Sequence, residues 1–198
     1  RGAQSLILSQ VEGLGSKTIF VAPGREPRGP SDIAQTFVDS LKEKDLEALK
    51  RKENVPALRN IMPILFGAAS ASYGSETYRP NIIGASELVS KIFDLYPEEG
   101  SFFGEEDVRA RGDVVVLGYN AKEELFGGES AIGKKIKIKG RTFRVIGILP
   151  KKGQVSFFNF DEVALLPYTT AQQHIFGVKY FHRFVIEAES EEAISRTV

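Results

Sequence analysis

Lysine and isoleucine alternate strictly from residue 135 to residue 139, and no other feature of the sequence constrains the fold as tightly. Successive side chains of a β-strand point to opposite faces, so this pattern predicts a strand with one buried and one solvent-exposed face. Gly140-Arg141 predicts a turn, and residues 142–149 predict a returning strand. The chain is therefore expected to contain a hairpin whose basic side faces water.

Short helices and further strands surround this hairpin. Residues 114–117 (Val-Val-Val-Leu) form a continuous apolar run, which is typical of a strand covered on both faces. Helices are predicted over residues 120–126 and 170–176, and strands over 163–166 and 181–187. Because none of these helices has the length of a crossover helix in a doubly wound sheet, the sequence predicts an α+β fold of mixed sheet and short helices.

The first half of the chain is less regular. Apolar residues with helical spacing predict a helix within residues 6–14, and a charged amphipathic helix is predicted over residues 45–53. A turn at residues 73–76 is predicted to join two strands. Ser190 can cap a helix that the last residue cuts short, so we expect the chain to be a segment of a longer protein.

The composition excludes several classes of protein. Leu, Ile, Val and Phe make up 60 of the 198 residues, enough for a buried core. The formal net charge is zero, which argues against a dedicated nucleic-acid-binding protein. The absence of cysteine excludes disulfides and zinc–thiolate sites. No apolar run approaches the length of about 20 residues that a membrane-spanning helix needs.

No motif for catalysis, cofactor binding or metal binding emerges. Residues 128–134, hereafter the glycine loop, match the G-x-x-x-x-G-K core of a phosphate-binding loop. They are predicted to precede a strand instead of a helix, and Lys135 replaces the required hydroxyl residue, so turn glycines are the better interpretation. His174 and His182 have no metal-ligand spacing. The remaining acid–base candidates lie in an acidic segment that is better interpreted as a solvated loop: Glu98, Glu99, Glu105, Glu106 and Asp107.

Two features rise above this background. Residues 130–160 carry eight basic residues and no acidic one, which indicates either the wet face of the hairpin or a surface for anionic lipid or an acidic partner. Phe157, Phe158 and Phe160 lie between turn residues and the acidic pair Asp161-Glu162. Their rings are either part of the buried core or an exposed contact patch. We interpret these three rings as an exposed contact for a partner.

The second half of the chain resembles a known family, the extracytoplasmic core domain of MacB-like permeases of ABC transporters, relatives of FtsX and of the lipoprotein-releasing permeases. The residues that carry the resemblance form four segments in a characteristic order. They are Gly100-Ser101-Phe102-Phe103 with Glu106-Asp107; Val114-Val115-Val116-Leu117-Gly118 with Leu125-Phe126-Gly127; Ile132-Gly133-Lys134 with Ile136, Ile138, Gly140, Phe143, Val145, Ile146 and Gly147; and residues 161–167 with Thr169-Thr170-Ala171-Gln172 and Phe176-Gly177.

The resemblance implies two lobes, which we place at residues 1–97 plus 179–198 and, inserted between them, at residues 98–178, with an acidic link near residues 97–112. It implies a non-catalytic domain outside the cell membrane that relays ATP-driven motion of a cytoplasmic ATPase to export or extraction of a substrate, or to an accessory protein. The resemblance further implies a second permease copy and apolar cargo as partners. It implies no cofactor, no metal and no nucleic acid. The alternative is an FtsX-like signalling ectodomain that regulates a cell-wall hydrolase.

Overall fold

Residues 7–10, 18–22, 42–50, 58–155 and 158–188 are described by the structure, a computed structural model. The chain divides into two units, one formed by Arg1–Ile64 with Lys179–Val198 and the other by Leu65–Val178. Within the described ranges, no helix combines the length and the apolar character needed to cross a membrane. The helix predicted to begin at Ser190 lies outside the described residues.

The first unit contains an antiparallel sheet. Its elements are β1 (Ile7–Gln10), β2 (Thr18–Ala22), α1 (Glu43–Lys50), the beginning of β3 (Leu58–Ala68) and β14 (Arg183–Ala188). The described strands pair in the order β1-β2-β14-β3. Met62, Phe184 and Val185 are fully buried on this sheet, and Leu46 of α1 is fully buried as well.

The helix predicted within residues 6–14 is wrong, because Ile7–Gln10 is a strand that pairs with β2, with Leu8 opposite Val21. The apolar spacing in this segment fits a helix, but a neighbouring strand satisfies its backbone hydrogen bonds. The helix predicted over residues 45–53 is confirmed as α1, which begins two residues earlier, at Glu43, and residues 51–53 lie outside the described residues.

The second unit contains the longer sheet and most of the helices. Its elements are the end of β3, β4 (Ala71–Tyr73), β5 (Glu76–Tyr78), β6 (Asn81–Ala85), α2 (Leu88–Ile92), β7 (Glu99–Gly100), α3 (Glu105–Arg109), β8 (Val114–Leu117), α4 (Tyr119–Phe126), β9 (Lys135–Ile138), β10 (Arg141–Ile148), β11 (Gln154–Val155), β12 (Phe158–Asn159), β13 (Val163–Pro167) and α5 (Tyr168–Thr170), which continues as a π-helical segment, Ala171–Phe176. Its described strands pair in the order β3-β6-β13-β8-β10-β9-β4-β5, β7 adds to β10, and β11 and β12 form a separate pair.

The sheet of the second unit is mixed. β13 is parallel to β6 and antiparallel to β8, and β8 is parallel to β10. The predicted α+β class is therefore confirmed, together with the buried strand β8, whose four side chains are all buried. The turn predicted at residues 73–76 is also confirmed, since it joins β4 to β5.

The predicted hairpin is confirmed as β9 and β10. Ile136 and Ile138 are buried, and Lys135 and Lys137 are exposed, as the alternation requires. The connecting residues, Lys139 and Gly140, have φ angles of 52° and 81°. Positive φ at both positions defines a two-residue type I′ turn, whose twist matches that of the two strands. The turn therefore lies one residue earlier than Gly140-Arg141.

One face of this sheet packs against α4 and the π-helical segment. The buried side chains of this layer include Val115, Leu117, Ile136, Phe143 and Val145 from the strands, Leu125 and Phe126 from α4, and Ala171 and Ile175 from the π-helical segment. Gly84 on β6 is required for this contact, because a Cβ atom there would lie 2.6 Å from the Cβ of Ala171. The opposite face, which we call the outer face, carries Val116, Leu165 and Ile83 at its buried centre.

The predicted lobe boundary at residues 97/98 is wrong, and the observed boundary lies between Ile64 and Leu65. Residues 65–97 belong to the second unit because β6 pairs with β13 and β4 pairs with β9. The second boundary lies between Val178 and Lys179, at the position used in the prediction. Residues 97–112 are not a link, since Gly100 pairs with Gly147 on β10 and Phe103 is only 2% exposed.

Candidate interaction surfaces

The predicted aromatic contact lies in the second unit, and two of its three rings are buried. Phe158 is 7% exposed and Phe160 is 1% exposed. The ring centroid of Phe93 lies 5.2 Å from that of Phe160 and 6.3 Å from that of Phe158, and the Phe66 ring lies 6.0 Å from Phe158. We call these four residues the aromatic cluster. The expectation of an exposed patch is therefore wrong for Phe158 and Phe160, whereas Phe157 lies outside the described residues.

The polar residues around this segment hold a hairpin together. The Lys152 amide donates to Asp161 Oδ1 at 2.7 Å, and the Phe160 amide donates to the Gly153 carbonyl at 3.0 Å. The Asp161 amide donates to Asn159 Oδ1 at 3.1 Å. These bonds fix the chain around β11 and β12, so that Phe158 and Phe160 both contribute buried rings. The charged and glycine residues that suggested an exposed loop are thus partners within the fold.

The glycine loop has no phosphate-binding geometry. It connects α4 to β9, so a strand follows it where a phosphate-binding loop needs a helix. The Gly133 amide donates to the Val145 carbonyl at 2.8 Å, and the Lys134 amide donates to the Ala131 carbonyl at 3.0 Å. Lys134 Nζ lies 3.9 Å from a carboxylate oxygen of Glu129. Two amides of the loop are therefore already bonded within the protein, as expected for turn residues.

One residue of the acidic segment, Asp107, caps a helix. Asp107 Oδ2 accepts a hydrogen bond from the Gly104 amide at 2.9 Å, which closes the N-terminus of α3. Glu105 pairs with Arg109 one turn later. Among the described residues, no group of three or more His, Cys, Asp or Glu side chains is placed to hold a metal ion. Helix capping and a surface ion pair therefore account for Asp107 and Glu105.

The two histidines are separate. His174 lies in the π-helical segment, and His182 precedes β14 in the first unit, with its ring 5.7 Å from that of Tyr180. Burial lowers the pKa of His182, and the positive charge of Arg183 lowers it further. Burial also lowers the pKa of Arg183.

An acidic groove of about 540 Å³ lies between the β4–β5 turn and the C-terminal end of α4. Its carboxylates come from Glu76, Glu123, Glu124 and Glu129. The Tyr73 hydroxyl donates to Glu129 Oε1 at 2.8 Å, which raises the pKa of Tyr73, and the Tyr73 ring lies 4.2 Å from that of Phe126. No local pattern in the sequence signals this groove, because residues about 50 positions apart form it.

The basic run of residues 130–160 is divided among several roles. Arg141 forms a bidentate pair with Asp113, at 2.8 and 3.1 Å. Lys139 Nζ donates to the Ile175 carbonyl at 2.7 Å, and Lys152 Nζ donates to the Asp94 carbonyl at 3.1 Å. Lys151 Nζ lies 5.9 Å from the centre of the Tyr119 ring. The exposed basic side chains of β9 and β10 are Lys135, Lys137 and Arg144.

Comparison with known sequences identifies relatives of the whole segment. The family model of the MacB-like periplasmic core domain matches residues 1–198. The chain is 29% identical over 198 residues to the macrolide export ATP-binding/permease protein MacB of Wolinella succinogenes, covering 99% of this chain and 30% of that protein. It is 28% identical over 195 residues to the pyoverdine export ATP-binding/permease protein PvdT of Pseudomonas aeruginosa, covering 98% of this chain and 28% of that protein. The chain thus spans less than a third of the length of these relatives.

Solved structures show the same fold. The periplasmic region of MacB from Actinobacillus actinomycetemcomitans superposes with a TM-score of 0.77 at 22% identity, covering 93% of this chain and 82% of that one. The extracellular domain of the noncanonic ABC-type transporter YknZ from Gram-positive bacteria superposes with a TM-score of 0.69 at 22% identity, covering 80% and 78%. Because the family model matches from the first residue to the last, the chain belongs to the family of MacB-like periplasmic core domains.

Proposed function

We propose that this chain is the extracytoplasmic domain of an ABC transporter permease and that it relays motion driven by ATP hydrolysis to the export or extraction of a substrate, or to an accessory protein. The observation that carries the proposal is the family match over all 198 residues. The similarity to ATP-binding/permease proteins for macrolide and pyoverdine export supports it. Specificity for a substrate depends on individual side chains and not on the fold, so the function proposed from the fold family is the relay of motion.

In this proposal the domain does no chemistry itself. Membership of the family of MacB-like periplasmic core domains and the similarity to ATP-binding/permease proteins support that part. ATP hydrolysis belongs to a cytoplasmic ATPase, which this segment does not contact. The remaining proposed partners are a second copy of the permease and an accessory protein or apolar cargo, and Phe157 stays a candidate contact residue for them.

An insertion at the boundary between the units tests the relay. The chain passes from the second unit to the first between Val178 and Lys179. In the full-length transporter, a flexible Gly/Ser insertion there makes the connection compliant, because such linkers behave as random coils. We expect ATP hydrolysis to continue while transport is lost. The control is the same insertion at the exposed Gly74-Ser75 turn within the second unit, which should leave transport intact.

Circular dichroism and thermal unfolding of the 198-residue chain establish that both insertions leave the domain folded. Unchanged transport with the insertion after Val178 would contradict the relay. Loss of ATP hydrolysis together with transport would show that the domain supports the ATPase itself instead of transmitting its motion.

A further inference from the structure

The outer face of the β9–β10 hairpin presents three cations in a fixed arrangement. Lys135 lies directly opposite Arg144, and Lys137 lies two residues further along β9 on the same face. Residues directly opposite in an antiparallel pair have Cβ atoms about 5 Å apart, and alternate residues of one strand are about 7 Å apart. All three side chains are exposed, and we call them the basic face.

Neighbouring strands extend the basic face with hydroxyl groups. Thr142 on β10 and Ser72 on β4 flank Lys137 from opposite sides, and Thr77 on β5 lies opposite Ser72. Among the described residues no carboxylate forms an ion pair with the three cations of the basic face. Asp113, the carboxylate that precedes β8, is already paired with Arg141.

The pairing of Lys135 with Arg144 is unfavourable for the isolated fold. Like charges directly opposite each other on a sheet destabilise it, whereas a carboxylate at either position would stabilise it. The five other basic residues of the run have partners within the fold, which are Glu129, Asp113, the Tyr119 ring and the carbonyl groups of Ile175 and Asp94. Local packing therefore explains those five residues but not the three of the basic face.

We propose that the basic face binds a carboxylate-rich, extended segment of a partner protein. In an extended segment with acidic residues at alternate positions, successive carboxylates on one side lie about 7 Å apart. This distance matches the spacing of Lys135 and Lys137 on β9. The guanidinium of Arg144 is planar and can donate two parallel hydrogen bonds to the two oxygens of one carboxylate. The hydroxyl groups around Lys137 suit the polar rim of such a contact. The proposal goes beyond the transport function and does not depend on it.

The composition of the face argues against other anionic partners. A membrane surface is bound stably when cations are combined with apolar or aromatic anchors, and among the described residues β4, β9 and β10 expose no large apolar side chain. Single-stranded nucleic acid is bound where aromatic side chains between the cations stack on the bases, and these are lacking as well. Charge and spacing together thus favour an acidic protein segment.

Peptide binding to the 198-residue chain tests the proposal. The probe is a fluorescent ten-residue peptide in which Glu and Thr alternate, titrated at low ionic strength and followed by anisotropy. The variant with Lys135→Gln, Lys137→Gln and Arg144→Gln should bind about tenfold more weakly, since three exposed ion pairs are lost. The matched control, Lys44→Gln with Arg79→Gln and Lys179→Gln, removes the same charge from exposed positions elsewhere and should stay within about twofold of wild type.

A thermal melt shows whether weaker binding by the basic-face variant results from loss of folding. Since the variant lacks the like-charge pair, its melting temperature should equal or exceed that of wild type. Equal peptide affinities of the two triple variants, or no saturable binding by wild type, would overturn the proposal. Binding to phosphatidylglycerol vesicles in place of the peptide, lost in the basic-face variant, would assign the face to lipid. Self-association lost in the same variant would assign it to a second copy of this chain, and either result rejects the proposed partner.

Discussion

Truncation of Phe160 separates a core role from a contact role. The Phe160 ring is 1% exposed and packs at 5.2 Å from the Phe93 ring and 6.0 Å from the Phe158 ring. Phe160→Ala removes the buried ring and leaves a cavity, which costs about 3–5 kcal/mol in well-packed cores. The lost ring contacts, about 0.5–1.5 kcal/mol per pair, contribute to that total. We therefore expect the free energy of unfolding to fall by about 4 kcal/mol, a large share of the 5–15 kcal/mol typical of a domain.

Urea unfolding of the 198-residue chain, followed by circular dichroism, measures this loss. The matched control is Phe66→Ala, which removes the same ring from the same aromatic cluster at a position that is 36% exposed. Its cost should be about half as large, because less apolar surface returns to water. If Phe160→Ala shifts the unfolding midpoint no more than Phe66→Ala at equal m-value, the assignment of Phe160 to the core is wrong.

Three further outcomes are expected. Gly118→Ala should destabilise the chain by about 1–3 kcal/mol in urea unfolding, because its Cβ would lie 2.3 Å from the Phe160 carbonyl oxygen, whereas Gly128→Ala, whose Cβ meets nothing within 4 Å, should be nearly neutral. The pKa of His182 lies below 6.5 in the folded state, so the unfolded state binds more protons and the free energy of unfolding should fall as the pH drops through 6.5. Urea unfolding of wild type and of His182→Asn, each at about pH 5 and about pH 7.5, measures this effect. An equal pH dependence of the two proteins contradicts it. Calorimetric titration with Mg-ATP should show no saturable binding at micromolar concentrations, since the glycine loop is followed by β9 and not by the helix that follows a phosphate-binding loop.

Local patterns predicted the elements whose character depends on nearby residues. The alternation in residues 135–139 gave β9 with the correct faces, because period 2 is a property of the strand itself. The apolar run of residues 114–117 gave β8, buried on both faces. The glycine loop was assigned to a turn from the elements before and after it, and the structure confirms both neighbours.

Features that depend on distant pairing could not be predicted in this way. Ile7–Gln10 is a strand because β2 pairs with it, although its apolar spacing suits a helix. The boundary between the units lies at Ile64/Leu65 because β6 pairs in parallel with β13, about 80 residues later in the chain. The acidic groove likewise depends on Tyr73 meeting Glu129. In each case the deciding contact joins segments that share no local signal.

A charged residue in the sequence does not by itself show that its segment is exposed, because the charge can be bonded within the fold. Asp161 suggested a solvated loop, but its carboxylate accepts a hydrogen bond from the Lys152 amide. This bond stabilises the β11–β12 segment, in which Phe158 and Phe160 are buried. A charged side chain therefore indicates a partner surface only after its bonds within the fold have been accounted for. Five of the eight basic residues between positions 130 and 160 are explained by such partners within the fold. The three that remain share one face of one hairpin, two of them directly opposite each other, and that arrangement is what an acidic partner would neutralise.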